Sequence, residues 1–165
     1  NNKSIGAYLV HPHPAKESFD LWSLCFKINP EPEVYGPDNV NIGYARPYGL
    51  PNLWVSEDLE QKEWIEIDFG KSQSISELIL YFDSDFNFKL INIKRYKFNL
   101  IPTIVRDYRV YYKEQDKYRE LTRVEGNYQR VNKLRFKEVK TNKIKIEFVA
   151  TNGCSDVHLY EVRAY

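Results

Sequence analysis

The densest grouping of chemistry-bearing residues runs from Tyr44 to Trp54, where Tyr44, Arg46, Tyr48, Asn52 and Trp54 stand among prolines and a glycine. An aromatic face covers C–H surface, and planar polar groups take pairs of hydroxyls, so this mixture suits a polyhydroxylated ring such as a sugar. Tyr44, Tyr48 and Trp54 fit the stacking role; Arg46 and Asn52 fit the hydrogen-bonding role. Pro47 and Pro51 stiffen the stretch and lower the cost of ordering it on binding. The alternative is a core position for Trp54, as a tryptophan just ahead of a strand commonly takes, and an internal partner for Arg46.

A second polar grouping, Gly126-Asn127-Tyr128-Gln129-Arg130, reads as a turn between two strands. Turns at one end of a β-sandwich cluster, so Asn127, Tyr128 and Arg130 are candidates for the same site. Equally, Asn127 supplies a backbone that tolerates a tight turn. Arg106 opens a strand after a long connection, and with Asp85 it joins the candidate set. Its alternative is a salt bridge to Asp107 or Asp85.

Other chemistries find less support. Asp83-Ser84-Asp85-Phe86-Asn87 starts like an EF-hand loop, but Phe88 replaces the required glycine and Lys94 the closing glutamate. His11 and His13 lie in a proline-rich arm and read as solvated. His158 has no serine or cysteine at motif spacing. Alternation puts Glu66 and Asp68 on one outer face, near Glu63, a spacing open to a glycosidase pair with nothing else marking a cleft. The seven glycines are isolated, which excludes phosphate cradles and the nucleophile elbow. Two cysteines and three histidines are too few for the usual zinc spacings.

The elements that must position these residues are strands. The 165 residues are 42% hydrophobic, 28% charged and 15% aromatic, a globular composition with an aromatic excess that favours β-structure. No apolar run reaches the roughly 20 residues of a membrane span. The absence of any methionine suggests a piece of a larger protein. Charge divides sharply, −6 over residues 1–70 and +7 over 71–165. The basic half reads chiefly as a solvated face of lysine-bearing strands, with an acidic partner as the alternative and no sign of nucleic-acid binding.

Alternation predicts strands at 64–69, 75–82, 106–113, 118–124, 133–139, 143–148 and 157–165, with a hairpin turn at 114–117. Short strands separated by turns indicate an all-β, antiparallel sandwich or barrel. Residues 1–38 read as an N-terminal arm or as extra strands from a preceding region, with a strand or two between Phe19 and Ile28. The main domain is expected over 39–165.

Three segments carry a family likeness: Asn39-Val40-Asn41-Ile42-Gly43 with Trp54-Val55-Ser56, Trp64 to Lys71 leading into Ile75-Ser76-Glu77-Leu78, and Val157 to Arg163. Together they resemble the discoidin or coagulation-factor C-type domain, a galactose-binding-like β-sandwich jelly roll that includes many bacterial carbohydrate-binding modules. A narrower likeness, to the C-terminal β-domain of some bacterial FAD-dependent oxidoreductases, rests on Gly43 to Pro47, Pro51 to Trp54, Val105 to Arg109, Gly126 to Arg130 and Ala150 to Gly153.

The resemblance implies a structural calcium held by carbonyls of the 39–43 turn with Asn41 and Glu161, Asn41 standing where relatives often have aspartate. The alternative is a direct hydrogen bond from that turn to Glu161. It also implies a disulfide between Cys25 and Cys154, worth about 4–5 kcal/mol in the chain-entropy picture, against two buried thiols. The leading expectation is a non-catalytic carbohydrate-binding accessory module of a larger bacterial enzyme, extracellular, periplasmic or at the cell surface. The second is a structural appendage packed on its own catalytic domain, whether of an FAD-dependent oxidoreductase or of a glycan-processing enzyme.

Overall fold

The computed structural model describes residues 4–10, 23–29, 34–47, 51–59, 63–85 and 100–165. They fall into two compact units, one within residues 1–34 and one within 35–165. The first unit contains an antiparallel pair, β1 (Ser4–Val10) and β2 (Ser23–Asn29), in register from Ser4 opposite Asn29 to Val10 opposite Ser23.

The second unit is a β-sandwich built on six strands: β3 (Trp54–Val55), β4 (Trp64–Phe82), β5 (Val105–Glu114), β6 (Lys117–Val124), β7 (Val131–Thr151) and β8 (His158–Ala164). All pairings are antiparallel, in the order β3-β8-β4-β7-β5-β6. A 3-10 turn, Pro37–Asn41, precedes β3, and no helix among the described residues is long and apolar enough to cross a membrane.

Two expected strand pairs proved continuous: 64–69 joins 75–82 in β4, and 133–139 joins 143–148 in β7. Hydrogen bonding survives the bend because the surplus residues bulge between Asp68 and Gln73. Gly70 takes φ +70 there, a conformation an L side chain would strain, and its N–H bonds Asp68 Oδ1 at 2.8 Å. Strands β4 and β7 therefore serve both layers. Their 64–68 and 143–151 portions lie with β5 and β6; their 75–82 and 131–139 portions lie with β8 and β3.

The layers meet over one apolar core that includes Leu78, Leu80, Phe82, Val105, Tyr108, Ile144, Ile146, Phe148 and Leu159. Aromatic contacts cross it: Phe82 meets Tyr108 and Trp54 meets Phe148, each at 5.6 Å between ring centres. The expected hairpin joins β5 to β6, with Gln115 and Asp116 both at positive φ, as a two-residue turn between right-twisted strands requires.

Candidate functional site

The stretch after the 3-10 turn is pinned from inside. Val40, 3% exposed, sinks into the core, and Asn39 Nδ2 donates to the Leu53 carbonyl at 2.9 Å. Gly43, at φ +89, donates its N–H to Glu161 Oε2 at 3.0 Å. Beyond it, Tyr44 is 44% exposed and Arg46 is exposed. Asn52 is buried and donates Nδ2 to the Arg46 carbonyl at 2.7 Å. It thus braces the loop from below, its amide spent on backbone. Trp54 takes the core alternative, packed on Phe148. Tyr48 lies outside the described residues.

The 126–130 turn is organised by a buried amide network. Asn127 donates Nδ2 to the Val105 carbonyl at 2.7 Å, and its Oδ1 accepts from Gln129 N and from Asn132 Nδ2, both at 2.8 Å. Tyr108 Oη donates to Asn132 Oδ1 at 2.9 Å, and burial pushes that phenol's pKa up. Asn127, like Asn52, is therefore a framework residue facing inward. Neither Asn132 nor Asn152 was legible as part of this network, because only the fold brings them to Asn127. Tyr128, by contrast, is 66% exposed. Arg106 is exposed and pairs with Asp107 at 2.8 Å, the alternative expected for it.

Arg130 joins the two groupings. Its Nη1 donates to the Ala45 carbonyl at 2.9 Å, and its guanidinium lies 5.8 Å from the centre of the Tyr81 ring. From there hydrogen bonds pass from loop to loop. Asn152 Nδ2 bonds the carbonyls of Asn127 and Ile104, Cys154 N bonds the Pro102 carbonyl, and Thr103 Oγ1 bonds the Asp83 carbonyl. The segments 43–46, 126–130, 102–105, 152–154 and 83–85 thus share one end of the sandwich. Asp85, at φ 52, donates its N–H to Asp83 Oδ1 at 2.9 Å.

His158 closes the far side. Its Nδ1 lies 3.2 Å from Asp83 and its Nε2 3.1 Å from Asp156, and the hydrogen bond to Asp83 lifts its pKa against the downward push of burial. Both ring nitrogens face carboxylates, which suits the doubly protonated ring. Cys154 is a free cysteine; burial pushes its thiol pKa up, with nearby Asp156, Asp85 and Asp83 adding to the effect. That makes it a poor nucleophile. The side chain of Cys25 lies outside the described residues, as do His11 and His13.

The residues do not fit the calcium site implied for Asn41 and Glu161. Glu161 is 4% exposed, and its carboxylate already accepts from Gly43 N–H and, at 3.2 Å, from Arg163 Nε. Calcium needs six or more oxygens turned toward it, and here two donors occupy the carboxylate. Among the described residues no group of three or more His, Cys, Asp or Glu is placed to hold a metal.

The carboxylate pair on the outer face is also tied up. Lys143 Nζ lies 2.6 Å from Glu66 and 3.1 Å from Asp68, and Tyr118 Oη also donates to Glu66. The bond to Lys143 lowers the Glu66 pKa, and the Gly70 N–H, then Lys143, lowers that of Asp68. A glycosidase acid needs a raised pKa, so these two are ill suited to the role.

This architecture has counterparts among solved structures. A family 32 carbohydrate-binding module of EndoD from Streptococcus pneumoniae matches with a TM-score of 0.64 at 17% identity, over 97% of this chain and 95% of that one. Chitosan-binding module 2 of a chitosanase/glucanase from Paenibacillus sp. IK-5, in complex with chitotriose, matches with a TM-score of 0.61 at 13% identity, over 99% and 96%. A CBM32 domain from Clostridium perfringens, in complex with GalNAc-β-1,3-galactose, matches with a TM-score of 0.55 at 12% identity, over 99% and 94%. No protein-family model matches the sequence, and no curated protein matches it. The chain has the galactose-binding-like, discoidin-type jelly-roll fold of these carbohydrate-binding modules. The narrower likeness to oxidoreductase tails finds no support in these structures.

Proposed function

We propose that the chain is a non-catalytic carbohydrate-binding module that serves a larger glycan-processing enzyme outside the cell or at its surface. The observation that carries this reading is the hydrogen bond from Arg130 to the Ala45 carbonyl, which sets the 126–130 turn against the 43–46 loop. Exposed Tyr44 and Tyr128 then belong to the same end of the sandwich as exposed Arg46 and Arg106. Aromatic rings there cover the C–H faces of a sugar and guanidinium groups take its hydroxyls, while the buried asparagines hold the backbone in place. Tyr48 and Asp85 complete the proposed contact set. The three similar modules described above support a glycan as the ligand class.

A glycan array probed with the whole chain tests the proposal. We expect saturable binding to a restricted set of glycans, weakened at least about tenfold, or about 1.4 kcal/mol, in Tyr128→Ala and in Arg46→Ala. A blank array would overturn the reading. So would full binding by both variants, since the recognised surface would then lie elsewhere.

A further inference from the structure

We infer that Arg163 takes the place of a metal cation at the foot of the 43–47 loop, so that the loop is held by the chain's own charge and independently of calcium. Glu161 is a carboxylate buried to 4% exposure, and a buried charge is tolerated only when paired and hydrogen-bonded. Arg163 Nε sits 3.2 Å from Glu161 Oε1, while Arg163 Nη2 reaches 3.4 Å from the Gly43 carbonyl. One guanidinium thereby spans a carboxylate and a turn carbonyl, the two oxygen types a calcium ion would collect. Gly43 N–H takes the other carboxylate oxygen at 3.0 Å. A divalent ion placed here would meet a fixed positive charge.

The arrangement is built rather than incidental. Tyr81 pairs with Glu161 across β4 and β8, and its ring carries the Arg163 guanidinium at 5.2 Å and that of Arg130 at 5.8 Å. Two guanidinium groups on one tyrosine hold alternate carbonyls of the same loop, Gly43 and Ala45. Arginine stays charged at any pH the fold survives, so this cation is permanent where a bound ion would follow its concentration.

Calorimetric titration of the whole chain with calcium chloride alone, and thermal melting in calcium or EDTA, test this without any glycan. The expected result is no saturable heat up to about 1 mM calcium and melting temperatures equal within about 1 °C. Saturable calcium binding that raises the melting temperature and disappears in Glu161→Gln would overturn the inference. A double-mutant cycle supplies the second arm. Arg163→Met, which keeps the stem, should lower the melting temperature by about 2–4 °C, and adding Glu161→Gln should recover part of that loss. Strictly additive losses would show that Arg163 does not compensate Glu161.

Discussion

Arg130 Nη1 and the carbonyl of Ala45 lie 2.9 Å apart, although 85 residues separate them in the chain. This bond sets the 126–130 turn against the 43–46 loop. Replacing Arg130 with methionine keeps the stem over Tyr81 and removes the donor. A hydrogen bond to a charged group contributes about 1.5 kcal/mol when partly buried. The expected outcome is amide exchange over 43–46 faster by about tenfold and a melting temperature lower by about 2–4 °C. Unchanged exchange across that loop would show that the bond does not order it.

Asn127 and Tyr128 are neighbours with opposite roles. Asn127→Ala strands the Val105 carbonyl and the Asn132 amide in a buried setting, which should cost about 3 kcal/mol. Tyr128→Ala removes an exposed ring and should change stability by no more than about 0.5 kcal/mol. Urea unfolding of the two variants separates them. Similar costs would mean that the buried network is weaker than its geometry implies.

Trp54 belongs to the core, not to the ligand surface. Trp54→Ala opens a cavity against Phe148 and should cost about 3–5 kcal/mol. Trp54→Phe should cost markedly less while leaving glycan binding intact. Lost binding in a folded Trp54→Phe protein would restore the stacking role.

His158 makes stability pH-dependent. Its hydrogen bond to Asp83 raises the folded pKa above the ordinary 6.5, with Asp156 on the other ring nitrogen. A raised folded value means that the contribution is complete below the unfolded pKa and is lost as pH climbs through the folded one. Wild type should therefore lose more melting temperature than His158→Asn between about pH 6 and pH 8. Asp85, Cys154 and Tyr160 lie in the same surroundings but are common to both proteins. Parallel curves would remove His158 as the titrating group.

Much of the strand content was readable, because a strand exposed on one face must alternate. Trp64-Ile65-Glu66-Ile67 and Lys143-Ile144-Lys145-Ile146 turn their isoleucines inward as the alternation requires, with Ile65, Ile144 and Ile146 buried and Ile67 half-buried. The continuity of β4 and β7 was not readable, since local signals mark the bend at Gly70 as a stop, and only pairing across it shows that the ladder resumes. In the candidate site, residue types drew attention to segments that the fold brings to one end of the sandwich, but they could not sort exposed residues from framework. Asn52 and Asn127 have the same hydrogen-bonding groups as any ligand-facing asparagine. What assigns their amides is the presence of the Arg46 and Val105 carbonyls, 6 and 22 residues distant.

The sequence by itself determined an all-β domain, its hairpin and the cluster of aromatic and polar residues near position 50, because periodicity and turn chemistry act over a few residues. The tertiary structure alone decided that Trp54 faces Phe148, that Arg130 and Arg163 converge on Tyr81, and that Glu161 meets a guanidinium. Those outcomes depend on the register in which distant strands pair. Shifting a strand by one residue sends each of its side chains to the opposite face, so the partner of a buried charge is settled only once the sandwich has closed.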